Sequence, residues 1–231
     1  MKITQKSLYL LLSICFSWAI NGQYIQVNDT YTAQQLVQNV LVGNSPCANV
    51  SNFSVTGDAF SGVQNSYGYF NAGSSNFPFS EGIILSTGKA TSAIGPNSFI
   101  LSQGGTSWLG DADLEAALGI TKSINATVLE FDFIPITNRI SFDYIFSSEQ
   151  YLINASSNQC NYTDGFAFLL KPSDNSSPYQ NLAIVPGTTI PVKINTVRGT
   201  GSICPPANPS FFDAFNGTNH PTNFNGQTVI M

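Results

Sequence analysis

Nine of the chain's thirteen acidic residues fall between Gly104 and the loop just past Leu170. They are Asp111, Asp113, Glu115, Glu130, Asp132, Asp143, Glu149, Asp164 and Asp174. Only 9% of the residues are charged, so acids gathered in this way could do chemistry. Calcium is one possibility, because it takes about six to eight hard oxygen ligands from carboxylates, amides and carbonyls. Asp111 and Asp113 lie two apart in a glycine-rich loop, and Glu149, Asn161 and Asp164 offer oxygens from a second loop. Asp111, Asp113, Glu149 and Asp164 are therefore the candidate calcium ligands. The spacing and final glutamate of an EF-hand are missing. Turn capping competes with calcium, since loop Asp commonly bonds to backbone N–H groups. Paired carboxylates could instead hydrolyse a glycosidic bond, with Glu130 and Asp143 or Glu149 and Asp164 as the pair. Little else supports catalysis. There is no GxSxG, His220 is the sole histidine, and no nucleophile stands beside a base. No catalytic residue is assigned, and the chain is expected not to be an enzyme.

The elements that must position these acids are mostly strands. One amphipathic helix is expected over Thr30–Gly43, where Ala33, Leu36, Val37, Val40 and Leu41 share a face. Asp29 or Thr30 would cap its start and Gly43 its end. Strand runs follow at Val50–Thr56, Tyr67–Asn71, Gly82–Ser86, Thr127–Phe133, Arg139–Phe146, Phe166–Leu170, Leu182–Val185 and Val192–Val197. Asp113–Leu118 would make one helical turn. Segments rich in Gly, Pro, Asn and Ser separate them, and no internal repeat is visible.

The turn Pro135-Ile136-Thr137-Asn138 suggests a hairpin of the two strongest strands. In a symmetric register Phe133 faces Ile140, Phe131 faces Phe142 and Leu129 faces Tyr144 on one side. Glu130 then opposes Asp143 and Asp132 opposes Ser141 on the other. Facing carboxylates repel, so this register calls for a cation, a shared proton or solvent to offset them.

Composition narrows the function. Residues 1–23 read as a secretory signal peptide, with Lys2 and Lys6 ahead of the apolar run Leu8–Ile20. That run is too short to favour a membrane span. The remaining domain, 24–231, carries six basic against thirteen acidic residues. Such a balance excludes nucleic acid, whose binding needs a basic footprint. Export permits disulfides, and Cys47, Cys160 and Cys204 remain. Cys160 with Cys204 is the expected pair, because both lie in polar loops beyond strands. The odd count leaves one cysteine over. No cysteine or histidine spacing suits zinc. Eight Asn-x-Ser/Thr sequons mean little in a chain so rich in Asn, Ser and Thr.

Two resemblances follow. Asp164-Gly165-Phe166-Ala167-Phe168-Leu169-Leu170 resembles a strand start of L-type lectins, in which the Asp binds sugar beside calcium. Alternation alone would make Phe166, Phe168 and Leu170 a core face. On a larger scale, TAQQLVQNVLVG, CANVSNFSVTG, GYFNAG, EGIILSTGKA, GDADLEAALG, ATVLEFDFIP, ISFDYIFSSEQY, DGFAFLL, NLAIVPGTTIPVKINTV and FNGQTVI occur in an order that resembles the choice-of-anchor L domain. That family consists of exported surface proteins, chiefly from Bacteroidetes, and the likeness runs from Thr30 to Met231. It implies secretion or display at the cell surface, outer-membrane-attached in a Gram-negative host, commonly through a type IX sorting tail. No settled biochemical activity attaches to it. The family's SEEY element stands here as Ser148-Glu149-Gln150-Tyr151, without the second acid. The likeness also implies further strands and a cysteine after Met231, which would make this chain a fragment with an open sheet edge.

The expectation is thus an all-β fold: a two-sheet, jelly-roll-like sandwich with one N-terminal amphipathic helix. Its expected work is non-catalytic binding or adhesion outside the cell, to a surface glycan, polymer or protein, with calcium as a loop-ordering ion. An L-type-lectin-like carbohydrate-binding domain is the alternative, and a glycoside hydrolase the reading after that.

Overall fold

A computed structural model describes residues 23–43, 48–135 and 138–231. The expected signal peptide, apart from Gln23, lies outside these, as do Cys47 and the turn residues Ile136 and Thr137. The chain is built mostly of strands. In order they are β1 (Gln26–Asn28), β2 (Ala48–Thr56), β3 (Ala59–Phe60), β4 (Gln64–Asn65), β5 (Tyr67–Asn71) and β6 (Glu81–Leu85). After these come β7 (Val128–Pro135), β8 (Ser147–Ser148), β9 (Leu169–Leu170), β10 (Gln180–Asn181), β11 (Phe212–Phe215) and β12 (Gly226–Thr228). Among the described residues they gather into five small sheets: β1-β5-β6, β11-β12-β8, β2-β7, β3-β4 and β9-β10.

The helix α1 begins as Ala33–Gln35 and widens into a π-helix over Leu36–Leu41. Thr32, not Asp29 or Thr30, caps it. Its hydroxyl accepts from Gln35 N while the Gln35 side chain accepts from Thr32 N, a reciprocal box. Ala33, Leu36 and Val37 are buried as the apolar face requires. The wider π turns rotate Leu41 off that face, and it is 43% exposed. A second helix, α2 (Ala112–Leu118), is two turns rather than one and ends at Gly119 with φ 64°.

Among the described residues, the two strands of the expected hairpin do not pair. β7 pairs antiparallel with β2, from Ala48↔Pro135 to Thr56↔Val128. Residues 144–146 instead run beside residues 228–231: Tyr144 exchanges two backbone bonds with Met231, and Phe146 O accepts from Thr228 N. Phe142 stacks on Phe168 at 3.9 Å and Tyr144 packs on Phe166 at 5.0 Å, so their aromatic faces meet the DGFAF segment and not Leu129 or Phe131. The facing of Glu130 with Asp143 disappears with the hairpin. Glu130 lies opposite Ser54, and Asp132 opposite Ser51. A bulge between Ser51 and Ser54 holds Asn52 at φ 53°, and its amide donates to Asp132 Oδ2 at 2.6 Å. The charge repulsion expected from the sequence is therefore replaced by polar contacts.

The core lies between these segments. Val185, Val192 and Val197 are fully buried, with Tyr144, Phe146, Phe211, Phe212 and Met231 packed against them. Val192–Val197 contributes apolar side chains but no extended strand, because Lys193 O accepts from both Thr196 N and Val197 N in a tight turn. Tyr151 is 2% exposed and seals one side. Cys160 and Cys204 are joined by a disulfide across a sequence separation of 44.

Candidate functional site

The four candidate calcium ligands stand in different settings. Asp111 caps α2, its Oδ1 accepting from Leu114 N at 2.7 Å. Asp113 is exposed on the first turn of α2. Asp164 is exposed, and its backbone oxygen accepts from Ile194 N at 2.8 Å. Glu149 is half-buried beside Asn225, whose amide donates to Glu149 Oε2 at 2.6 Å and to its backbone oxygen at 2.8 Å. Among the described residues, no three His, Cys, Asp or Glu side chains come together as a metal-binding group. Nearby Glu115 accepts two bonds from Ser123, which hold its carboxyl below the usual range. His220 accepts from Thr222 N through Nδ1, so the sole histidine is bound into its own turn.

Glu149 differs from the other acids. Its Oε1 is buried and has no hydrogen-bond partner among the described residues. Burial pushes the carboxyl up to about 7 from an ordinary 4.5, against a smaller opposing effect of a backbone bond from Leu101. The folded chain thus keeps a proton that the unfolded chain releases near 4.5. This group's contribution to stability is full below pH 4.5 and declines as pH rises to about 7. Glu149→Gln is therefore expected to be the more stable form at pH 8, by about 2 kcal/mol after allowing for partial exposure, and to match the wild type near pH 4.5. Urea unfolding of both forms across that range measures it. A constant difference would remove Glu149 as the source.

A different constellation, which the acid-centred sequence reading missed, forms an open groove of about 350 Å³. Asp58, Phe60, Lys89, Gln103, Ser107 and Trp108 line it. The β3-β4 hairpin presents Phe60, and its three-residue turn carries Ser61 and Gly62 at φ 55° and 74°. Trp108 is held from behind: Nε1 donates to Ala126 O at 2.9 Å, and Asn125 N donates to Trp108 O at 3.0 Å. Asn125 and Ala126 lead directly into β7, so the indole is set by the largest strand pair. Gly104 sits at φ 91°, and a Cβ there would strike the Asn125 side chain at 2.7 Å. Gln103 locks the loop to its neighbour, accepting from Lys89 N at 2.8 Å and donating to Ser92 Oγ at 2.9 Å.

The result is a half-buried Phe60 ring set against a buried indole, with polar groups around it. Phe60 and Trp108 meet edge-on at 5.8 Å, and Lys89 Nζ stands 5.6 Å from the Phe60 centroid. The Asp58 carboxylate, the Lys89 ammonium and the Ser107 hydroxyl make no hydrogen bond to other described residues. These groups can donate to and accept from an outside ligand, while the half-buried Phe60 ring offers an apolar surface and Trp108, 9% exposed, backs it. No sequence signal joins them, since they come from three separate segments.

A family model described as the choice-of-anchor L domain matches residues 25–231. The chain belongs to that family. No curated protein and no solved structure matches it. Membership makes this choice-of-anchor L chain an exported or surface-associated protein, and the family is not a known enzyme family. Among the described residues, no helix is long and apolar enough to cross a membrane. The SSEQY landmark of this choice-of-anchor L domain is structural in part: Ser148 lies in β8, paired with Gly226, and Tyr151 enters the core.

Proposed function

We propose that this choice-of-anchor L domain is a non-catalytic extracellular binding module whose Phe60–Trp108 groove holds a neutral surface glycan. The observation that carries this reading is the half-buried Phe60 ring, backed by the buried Trp108 indole and flanked by a carboxylate, an ammonium and a hydroxyl that make no hydrogen bond to other described residues. A sugar presents C–H faces that stack on aromatic rings and hydroxyls that both donate and accept. One Asp and one Lys leave the groove without net charge, which favours a neutral sugar over an acidic one. The same reading includes a jelly-roll-like frame, removal of residues 1–23 on export, and attachment at an outer membrane through a sorting segment. It places the sugar away from the lectin-like Asp164–Leu170 segment, where Phe166 and Phe168 stack on Tyr144 and Phe142.

Phe60→Ala is expected to weaken binding to neutral polysaccharide at least about tenfold, the loss of one aromatic anchor. Affinity electrophoresis in gels containing β-glucan or mannan measures this, with Lys122→Ala as a variant outside the groove. Equal retardation of Phe60→Ala and the parent would sink the assignment. Trp108 serves as a built-in reporter, since the other tryptophan, Trp18, falls in the expected signal peptide.

Calcium is the second reading, and Glu149 is the observation behind it. A buried carboxylate oxygen without a partner suits a cation as well as a proton. If calcium orders these loops, 1 mM calcium (about a millimolar site, as in extracellular modules) raises the Tm over that in EDTA, and Glu149→Gln cancels the rise. Identical melting in both buffers disposes of calcium and leaves the proton.

A further inference from the structure

The β9-β10 ladder pairs Leu170 with Gln180. Lys171 and Tyr179 are therefore the next residues facing each other beyond it, at the mouth of the hairpin. Lys171 Nζ stands 4.2 Å from the centroid of the Tyr179 ring. The connecting loop is held by its own turns, Ser176 N donating to Asp174 Oδ1 at 2.9 Å and Asn175 N to Pro172 O at 3.1 Å. Asp113 comes in from α2, and together these residues border a shallow, open depression of about 410 Å³. The Asp113 carboxylate, the Lys171 ammonium, the Tyr179 hydroxyl and the Asn175 amide make no hydrogen bond to other described residues.

This repeats the Phe60 groove in its essentials: one lysine over one aromatic ring, one Asp without a hydrogen bond to its carboxylate from other described residues, and neutral polar groups beside them. The repetition is not a consequence of abundant lysine. Four lysines lie among the described residues, and of the other two Lys193 is committed to the C-terminal carbonyl of Leu118 at 2.9 Å. Both cation–π contacts found among the described residues line such grooves. A lysine that stays on a ring instead of pairing with the nearby Asp leaves both charges available to hydroxyls, and holds the ring in one orientation. The ring edge, the carboxylate and the amide then face outward together.

We propose that the Lys171–Tyr179 groove is a second binding site for neutral glycan, so that one domain grips two segments of a polysaccharide. The inference rests on the glycan reading of the first groove. Two weak sites on one rigid body bind a polymer far more tightly than a short oligosaccharide, by about 10²–10⁴. That advantage suits a surface module facing a repetitive polymer.

The test uses the secreted chain, with linear β-glucan and α-mannan hexaoses and their parent polymers as probes. Calorimetry with a hexaose is expected to give a stoichiometry of two. Tyr179→Ala should reduce it to one, weaken polymer binding by about 100-fold, and leave the hexaose-induced change in Trp108 fluorescence intact. Tyr179→Phe, which keeps the ring, should retain both sites and confirms that the loss is not misfolding. A stoichiometry of one that is abolished by Phe60→Ala and indifferent to Tyr179→Ala overturns the second site and leaves the first. A stoichiometry of one that depends only on Tyr179 sustains this site and overturns the first. No binding of any probe overturns both.

Discussion

Tyr151→Ala should lower the stability of the domain by about 3–5 kcal/mol, a large part of what a domain of this kind possesses. The ring is 2% exposed and packs at 4.9 Å on Phe212 and 6.2 Å on Phe146. Its hydroxyl donates to Val197 O at 2.9 Å, inside the valine cluster. Gly226 of β12 is fitted against it, for a Cβ there would come within 2.7 Å of the Tyr151 Cβ. Truncation therefore removes packing from three segments and leaves a carbonyl without its donor. Tyr151→Phe separates the two effects. It keeps the ring and strands only Val197 O, at a cost of about 1–2 kcal/mol. Urea unfolding monitored by circular dichroism measures both. A loss below about 1 kcal/mol for Tyr151→Ala would mean that the side chain is not central to the core.

Breaking the disulfide comes next in size. Cys160 and Cys204 close a loop with a separation of 44 residues, for which chain entropy alone gives roughly 4 kcal/mol. In a domain of this length that corresponds to a fall in Tm of about 8–16 °C. The bond also joins two loops, each anchored by hydrogen bonds of its own. Arg198 Nη2 donates to Cys160 O at 3.1 Å, and Ser202 Oγ donates to Leu152 O at 2.7 Å. Arg198 is 6% exposed and relies on that carbonyl, so loosening the Cys160 loop would leave a buried guanidinium poorly satisfied. Thermal melting of the Cys204→Ser variant, and of the parent with and without reductant, tests this. Melting unchanged by either treatment would show that the loops are held without the bond.

Local features were legible from residue order alone. The apolar spacing of Ala33, Leu36, Val37, Val40 and Leu41 foretold a helix, of whose expected face the first three residues are buried, and the alternation in Thr127–Phe133 foretold a strand. The hairpin was not legible. Period-two alternation sets which side of a strand is apolar but not which strand lies beside it. Proximity favoured residues 139–146 as the partner of β7. The tertiary structure gives β7 to β2, almost eighty residues earlier in the chain, and gives Tyr144 to Met231. With that exchange, the facing carboxylates that had suggested a cation or a catalytic pair became acids opposite serines.

Residue order by itself determined a charge-poor, strand-built exported domain, its N-terminal helix and its family, because these depend on composition, short-range periodicity and the succession of landmarks. It also singled out Glu149, though as one ligand among four. Only the tertiary structure decided that Glu149 is half-buried, with one oxygen unpartnered among the described residues, while Asp111 caps a helix, since burial depends on what the rest of the chain lays against each acid. It alone assembled Asp58, Phe60, Lys89 and Trp108 into one groove, and Asp113, Lys171 and Tyr179 into another. Such sites are made by long-range pairing that brings distant segments together, and no spacing in the sequence records it.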